Sequence, residues 1–263
     1  MLLRLLLAFV TLTVSSSASA AHDHSGWDNL LKRNVVSVGG GSSTAVNYGK
    51  FQKDRTRLKT YLNSLSSVTR AQFNGWSRDD QLAFLINAYN AWTVELVLTK
   101  YPDLKSIKDL GSIIRSPWKK SFIPLFGKTV SLDNIEHDMI RGSGKYNEPR
   151  IHFAVNCASI GCPALARSAY RGDKLSAQLN TATKSFLRDR SRNRLRGGRL
   201  EVSSIFKWYR GDFGKGWRGA NNLNQFLAIY ANALGLNKGQ QAQLKQGKIK
   251  VSFLSYDWKL NRT

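Results

Sequence analysis

Two cysteines, with the histidines and acids near them, carry the covalent chemistry open to this 263-residue chain. Cys157 and Cys162 stand five positions apart in Cys157-Ala158-Ser159-Ile160-Gly161-Cys162-Pro163. A thiol becomes a nucleophile when a base within hydrogen-bond reach takes its proton. His152 is close in sequence, but Ile151, Phe153 and Val155 alternate with His152, Ala154 and Asn156, which predicts a half-buried strand. Five strand residues span about 16 Å, so His152 cannot meet Cys157 unless the chain folds back. His137 is the better base candidate. It follows Glu136, and Asp133 lies one turn earlier, at i−4, where a carboxylate can orient the imidazole and raise its pKa. Pro163 suits the first position of a helix, which makes Cys162 a candidate N-cap whose surroundings favour a thiolate, while Cys157 ends the strand beside a turn.

Four further residues are candidates for substrate binding. Asn87 and Asn90 interrupt an otherwise apolar helix, and buried amides must find partners. They are expected to bond the backbone of the cysteine turn, structurally or as oxyanion donors. Arg150 is a candidate partner for Glu136 or for an anionic substrate group, and Asn156 shares the expected strand face with His152. A second reading of the cysteines stands beside the catalytic one: a disulfide, given an exported chain and a turn that brings the Cα atoms within about 7 Å. Closing so short a loop stabilises by roughly 2 kcal/mol. A thiol–disulfide oxidoreductase is less favoured, because Cys-x4-Cys is not the Cys-x-x-Cys spacing.

Export is read from the N-terminus. Arg4, an apolar run from Leu5 to Val14 and the small residues Ala18-Ser19-Ala20 follow the order of a cleaved signal peptide over residues 1–20. The run is half the length of a membrane span of about 20 residues, and no second such run follows, so no transmembrane segment is expected in the mature chain. Residues 21–50, with Gly39-Gly40-Gly41-Ser42-Ser43, read as a flexible lead. Ala21-His22-Asp23-His24 offers an amine, imidazoles and a carboxylate to copper or zinc but reads as incidental histidines on that tail. No metal or other cofactor is expected.

Residues 51–263 read as one globular domain. The chain has 40 Lys+Arg against 17 Asp+Glu and a formal charge of +23, which points to anionic envelope polymers or other polyanions as partners. Six arginines from Arg188 to Arg199 concentrate that charge as either a solvated run or an anion-binding surface, without a recognised nucleic-acid motif. Helical spacing recurs at Phe51, Leu58, Tyr61, Leu62 and Leu65. A second helix opens at Ser77 with Asp80 three residues on and stays apolar on more than one side from Leu82 to Val97, as a central buried helix does. A hairpin is expected over 123–130, and Ser131 caps a short helix through Ile140. Further helices are marked by Leu175, Leu179, Ala182 and Phe186, then by Leu223 to Leu234 closed by Gly235, and a last strand covers 249–254. The expected class is α+β, a mainly helical single domain with a small, mostly antiparallel sheet.

Five ordered segments carry a resemblance: Gln81–Ala91, Leu132-Asp133-Asn134-Ile135-Glu136-His137, Pro149-Arg150-Ile151-His152-Phe153-Ala154, Asn156–Pro163 and Ile205-Phe206-Lys207-Trp208-Tyr209. Together, over roughly 75–230, they resemble the DUF547 family, which is named for its unknown function and whose bacterial members occur in the envelope. The functional expectation is an exported, thiol-dependent hydrolase or acyltransferase of papain-like logic. Cys157 or Cys162 is the nucleophile, His137 the base, Asp133 or Glu136 its orienter, and His152 the other candidate base. The alternative is a non-enzymatic envelope-binding module with a structural disulfide and a basic face.

Overall fold

The structure is a computed structural model describing residues 20–112 and 116–263. The signal peptide expected over residues 1–20 therefore falls, except for Ala20, outside the described residues. In chain order come α1 (Ser25–Asn34), the hairpin β1 (Val35–Val38) and β2 (Ser43–Val46), α2 (Tyr48–Lys53), α3 (Arg55–Ser66), α4 (Arg70–Asn74) and α5 (Arg78–Leu98). The hairpin β3 (Ile123–Leu125) and β4 (Lys128–Val130) leads to a π-helix (Asn134–Arg141). Then follow α6 (Leu175–Arg188), β5 (Arg194–Arg196), β6 (Arg199–Ser203), α7 (Ile205–Trp208), α8 (Leu223–Ile229), α9 (Lys238–Lys245) and β7 (Val251–Leu254). The fold is mainly helical α+β. Its strands form two antiparallel hairpins and a three-stranded sheet β5-β6-β7, in which β6 and β7 run parallel.

Helix α5 is the axis. Ser77 Oγ accepts the Asp80 N–H at 3.1 Å, and Asp79 and Asp80 place negative charge at the helix N-terminus. Every residue from Gln81 to Leu98 is buried, as expected of a helix apolar on all sides. Its two asparagines pair with main chain as a strand neighbour would. Asn87 donates to the Tyr170 carbonyl at 2.8 Å and accepts the Tyr170 N–H at 2.9 Å. Asn90 donates to the Ala154 carbonyl at 2.9 Å and accepts the Asn156 N–H at 2.8 Å. Asn87 thus holds the segment before α6 rather than the cysteine turn. Asn90 holds the chain that enters that turn.

Two hydrophobic cores meet along one seam. The first gathers α1 to α5 with the two hairpins, and the second gathers Phe153, Phe186, Phe206, Phe213 and Phe226 with β6, α8 and α9. The short 3-10 helix Pro149–Phe153 straddles them, with Ile151 in the first and Phe153 in the second. This corrects the half-buried strand expected at Ile151–Val155. Pro149 sits in the first turn and the Glu148 carboxylate accepts the Arg150 N–H at 3.1 Å, so the chain winds instead of extending. All of Pro149–Phe153 is buried, so the polar–apolar alternation reported no solvent face.

Three other expectations change. No helix follows Cys162, since residues 163–171 are irregular, so no helix dipole acts there. The lead over 21–50 is not a tether: Trp27, Leu30 and Leu31 of α1 are buried in the first core, and β2 reaches the C-terminal segment, where the Val46 N–H donates to Asn261 O at 2.8 Å. Its longest exposed run, residues 36–41, ends in the glycine turn. Its histidines are held as well, His24 Nδ1 lying 2.7 Å from the Tyr61 hydroxyl and His22 Nε2 3.2 Å from Ser64 Oγ. Helix α8 ends at Ile229, and Tyr230 to Gly235 form turns. Among the described residues no helix is long and apolar enough to cross a membrane.

Two tests follow from these packings. Asn87→Leu leaves the Tyr170 N–H and carbonyl unpaired in the core and is expected to cost about 2–4 kcal/mol in urea unfolding, whereas Arg196→Ala on the exposed β5–β6 turn stays within about 0.5 kcal/mol. Burial lowers the His24 pKa to about 3. The unfolded chain therefore takes up that proton first, and stability falls as pH drops from about 6.5 toward 3. In His24→Gln the fall is expected to be shallower by up to about 1.4 kcal/mol per pH unit, read from unfolding midpoints at pH 7, 5.5 and 4.5.

Candidate functional site

The cysteine turn is held by its own chain from three directions. Asn156, whose N–H is fixed by Asn90, accepts the Ala158 N–H at 2.9 Å and donates to the Pro163 carbonyl at 2.7 Å, tying the start of the loop to its end. The C-terminal segment pairs with the loop tip, Ile160 N–H donating to Lys259 O and Gly161 N–H to Asp257 O, each at 2.8 Å. Arg192, ion-paired to Asp189 at 2.6 Å, donates to the Cys162 carbonyl. Asn156 is thus a brace within the loop.

Within that frame Cys157 and Cys162 form a disulfide, with Cα atoms 6.0 Å apart. Neither sulfur carries a hydrogen, so the contacts around them are donated to them. The Tyr256 hydroxyl lies 3.0 Å from Cys157 Sγ and 3.2 Å from Cys162 Sγ, and the Cys157 N–H donates to Cys162 Sγ at 2.9 Å. Cys162 is 3% exposed, while Cys157 is half-buried. Gly161 makes the tyrosine's approach possible: a Cβ there would sit 2.9 Å from three Tyr256 ring atoms.

The two histidines belong to one hydrogen-bonded chain with Arg141 at its centre. Ser131 Oγ accepts the Asn134 N–H at 3.1 Å and starts the π-helix, along which Asp133, His137 and Arg141 follow at four-residue steps. Asp133 Oδ1 is 3.7 Å from His137 Nε2, the orientation expected from the i−4 spacing. Arg141 donates to His137 Nδ1 at 2.5 Å and to Asp212 Oδ2 at 2.5 Å, with its guanidinium over the Tyr209 ring. An arginine has no lone pair to offer, so His137 Nδ1 is the acceptor and the ring proton sits on Nε2, facing Asp133. Both nitrogens of His137 are committed.

His152 is arranged differently. Its Nε2 lies 2.9 Å from Asp212 Oδ2, its ring stacks on Tyr209 at 3.9 Å, and its Nδ1 is buried with no hydrogen-bond partner. Burial lowers the His152 pKa and the Asp212 hydrogen bond only partly restores it, so the ring is neutral. For Asp212, burial works to raise the pKa, but hydrogen bonds from His152, Arg141 and Lys215 outweigh it and hold the carboxyl well below the usual carboxylate range. The proton of His152 is therefore on Nε2, and Nδ1 presents a bare lone pair. Burial raises the pKa of Asp133, with His137 working against it.

One cavity of about 220 Å³ at the seam brings these groups together: Asp133, Glu136, His137, His152, Cys157 and Cys162 all line it. The rest of its lining is largely aromatic, with Trp118, Trp208, Tyr209, Tyr256 and Trp258. Three predicted residues lie elsewhere or act otherwise. Arg150 pairs with Glu148 at 2.6 Å and with the Ser176 carbonyl at 3.0 Å, not with Glu136, and it is 3% exposed. Asn87 and Asn90 are core clamps. Sequence reasoning missed Asp212, Arg141, Tyr209 and Tyr256, of which only Tyr209 lay in a segment singled out for resemblance. Asp212, 60 residues from His152, offered no spacing signal. Of the six arginines from 188 to 199, three are occupied internally: Arg190 by the Leu187 and Ala233 carbonyls, Arg192 by Asp189, and Arg194 by Glu201. Among the described residues no three histidine, cysteine or acidic side chains are grouped to hold a metal ion.

Gly161→Ala tests the tyrosine's seat. The added methyl is expected to cost about 1–3 kcal/mol by overpacking, and most of that cost should vanish in a Tyr256→Ala background. A penalty unchanged in that background would mean that the clash lies elsewhere.

Neither the curated proteins nor the solved structures contain a match to this chain. Residues 73–187 match the family described as protein of unknown function, DUF547, a stretch that holds α5, the π-helix, both histidines and the cysteine turn but stops short of Tyr209, Asp212 and Tyr256. By that match residues 73–187 carry a DUF547 domain.

Proposed function

We propose that this chain is an exported, envelope-facing protein that carries out thiol-dependent acyl transfer, as a hydrolase or acyltransferase, in the cavity at the seam. The observation that carries the reading is the convergence of Asp133, Glu136, His137, His152, Cys157 and Cys162, drawn from separate segments, on one cavity. Export is supported by the leader pattern of residues 1–20 and by the disulfide, a bond that persists in oxidising compartments.

The disulfide is the resting form in this mechanism. A thiol reductant supplies two electrons and two protons and releases both thiols. Cys157, the less buried of the two, is the nucleophile, and His152 Nδ1 is its base, held in the right tautomer by Asp212. The base role thus moves from His137, whose nitrogens are both committed, to His152; His137 becomes a positioning residue that steadies Arg141. Tyr256 and the Cys157 N–H supply donors beside the sulfurs.

A second reading has its own support. The closed disulfide and the excess of positive charge suit a binding module that holds anionic envelope polymer, with Arg188, Arg196 and Arg199 available beyond the three arginines bound internally.

Reduced protein assayed with nitrophenyl esters and iodoacetamide separates the two. Acyl transfer predicts turnover lost in Cys157→Ser, lowered about 10²- to 10⁴-fold in His152→Gln, and lowered less than about tenfold in His137→Gln. Because burial depresses the His152 pKa, the active neutral base persists below pH 6.5, and turnover falls only as pH drops through that lowered value. Alkylation no faster than free cysteine together with no ester turnover would sink acyl transfer. Salt-sensitive retention on heparin would then leave the binding reading standing.

A further inference from the structure

The cavity's charge is opposite to that of the molecule around it. In a chain of formal charge +23 its lining includes, among the described residues, two carboxylates, Asp133 and Glu136, and no lysine or arginine. Glu136 is 5% exposed and sits beside Tyr89 and Tyr209, whose hydroxyls its carboxylate helps to hold in the protonated form. The cations nearby are largely spent: Arg141 and Lys215 both pair with Asp212, at 2.5 and 2.8 Å, while Lys119 acts on Asp133 from outside the lining.

Two independent features say what the acids face. The neutral His152 ring, 2% exposed, lines the cavity with an Nδ1 that accepts nothing, and so asks for a donor. One wall is a continuous aromatic surface, Tyr256 lying 4.8 Å from Trp208 and 4.5 Å from Trp258, and Trp208 is 47% exposed. The electron-rich faces of such rings attract cations. This wall already holds one, the Lys108 ammonium, 3.7 Å over Trp258.

We infer that the cavity binds a ligand through a primary ammonium group carried on a small flat or ring-shaped body, the ammonium against Asp133, Glu136 and His152 Nδ1 and the body on the aromatic wall. The inference rests on this cavity being the substrate site, but it does not depend on the thiol chemistry. An anionic ligand meets the carboxylates unfavourably, and a neutral one leaves them unanswered.

Three matched probes test it on the oxidised protein without reductant, with tryptophan fluorescence as the readout: benzylammonium, benzyl alcohol and benzoate. Benzylammonium is expected to bind at least about tenfold tighter than benzyl alcohol, and benzoate weakest. Asp133→Asn and the isosteric Glu136→Gln should each weaken benzylammonium at least about fivefold while leaving benzyl alcohol within about twofold; Trp208→Ala should weaken both probes. Thermal melts check that each variant folds, and Asp133→Asn, at a half-exposed position, keeps the test open if Glu136→Gln does not. Benzoate binding as tightly as benzylammonium, no saturable binding of any probe, or an ammonium preference surviving in the double variant would overturn the inference. If ammonium selectivity holds while the reduced protein shows no thiol reactivity, acyl transfer fails and this assignment stands.

Discussion

An amide buried in an apolar helix must find a partner, and in this protein that requirement fixes where the cysteine turn sits. Helix α5 runs through the first core with every residue from Gln81 to Leu98 out of solvent, and Asn87 and Asn90 cannot reach water. Each turns to a stretch of main chain and bonds it through both oxygen and nitrogen. The stretch taken by Asn90 ends at Asn156, the residue that braces the cysteine loop. The disulfide is therefore referenced, through two asparagines, to the buried helix α5. A site set on such an element is positioned more tightly than one carried on a free loop.

The second core supplies what the first lacks. His152 belongs to a turn whose neighbours on either side enter different cores, and its partner Asp212 comes from the far side of the seam. Arg141 crosses the same boundary from the π-helix to Asp212. Buried charges are stable only when paired, and here the pairing joins the two halves. The aromatic wall is likewise contributed from both sides, Trp118 from the first and Tyr209 and Tyr256 from the second.

Much of this was legible in residue patterns, and the exceptions have physical causes. The capped, all-round apolar helix at Ser77 and the capped helix at Ser131 are local signals, and both are present. The spacing of Asp133 and His137 was a local signal too, and their side chains do face one another. The 3-10 helix at Pro149 was hidden because full burial erases the solvent-facing half of a strand's alternation, leaving a pattern without a meaning. The lead was hidden by Gly39-Gly40-Gly41, a turn whose composition outweighed Trp27, Leu30 and Leu31 at i, i+3 and i+4 just before it. Asp212 and Tyr256 reach the site by tertiary folding alone, and no spacing along one chain could have announced them.

The seam also bears on what the physical unit is. The stretch that matches the family ends at residue 187, inside the last turn of α6. Cut there, the chain would keep both cysteines and both histidines but lose the carboxylate that orients His152, the cation that ties Cys162 to α6, and the hydroxyl between the sulfurs. Phe153 would lose Phe206, Phe213 and Phe226 and stand in water. The boundary drawn by sequence likeness and the boundary required to enclose the cavity are some 70 residues apart, so a fragment chosen by the first would carry the candidate site's letters without its architecture.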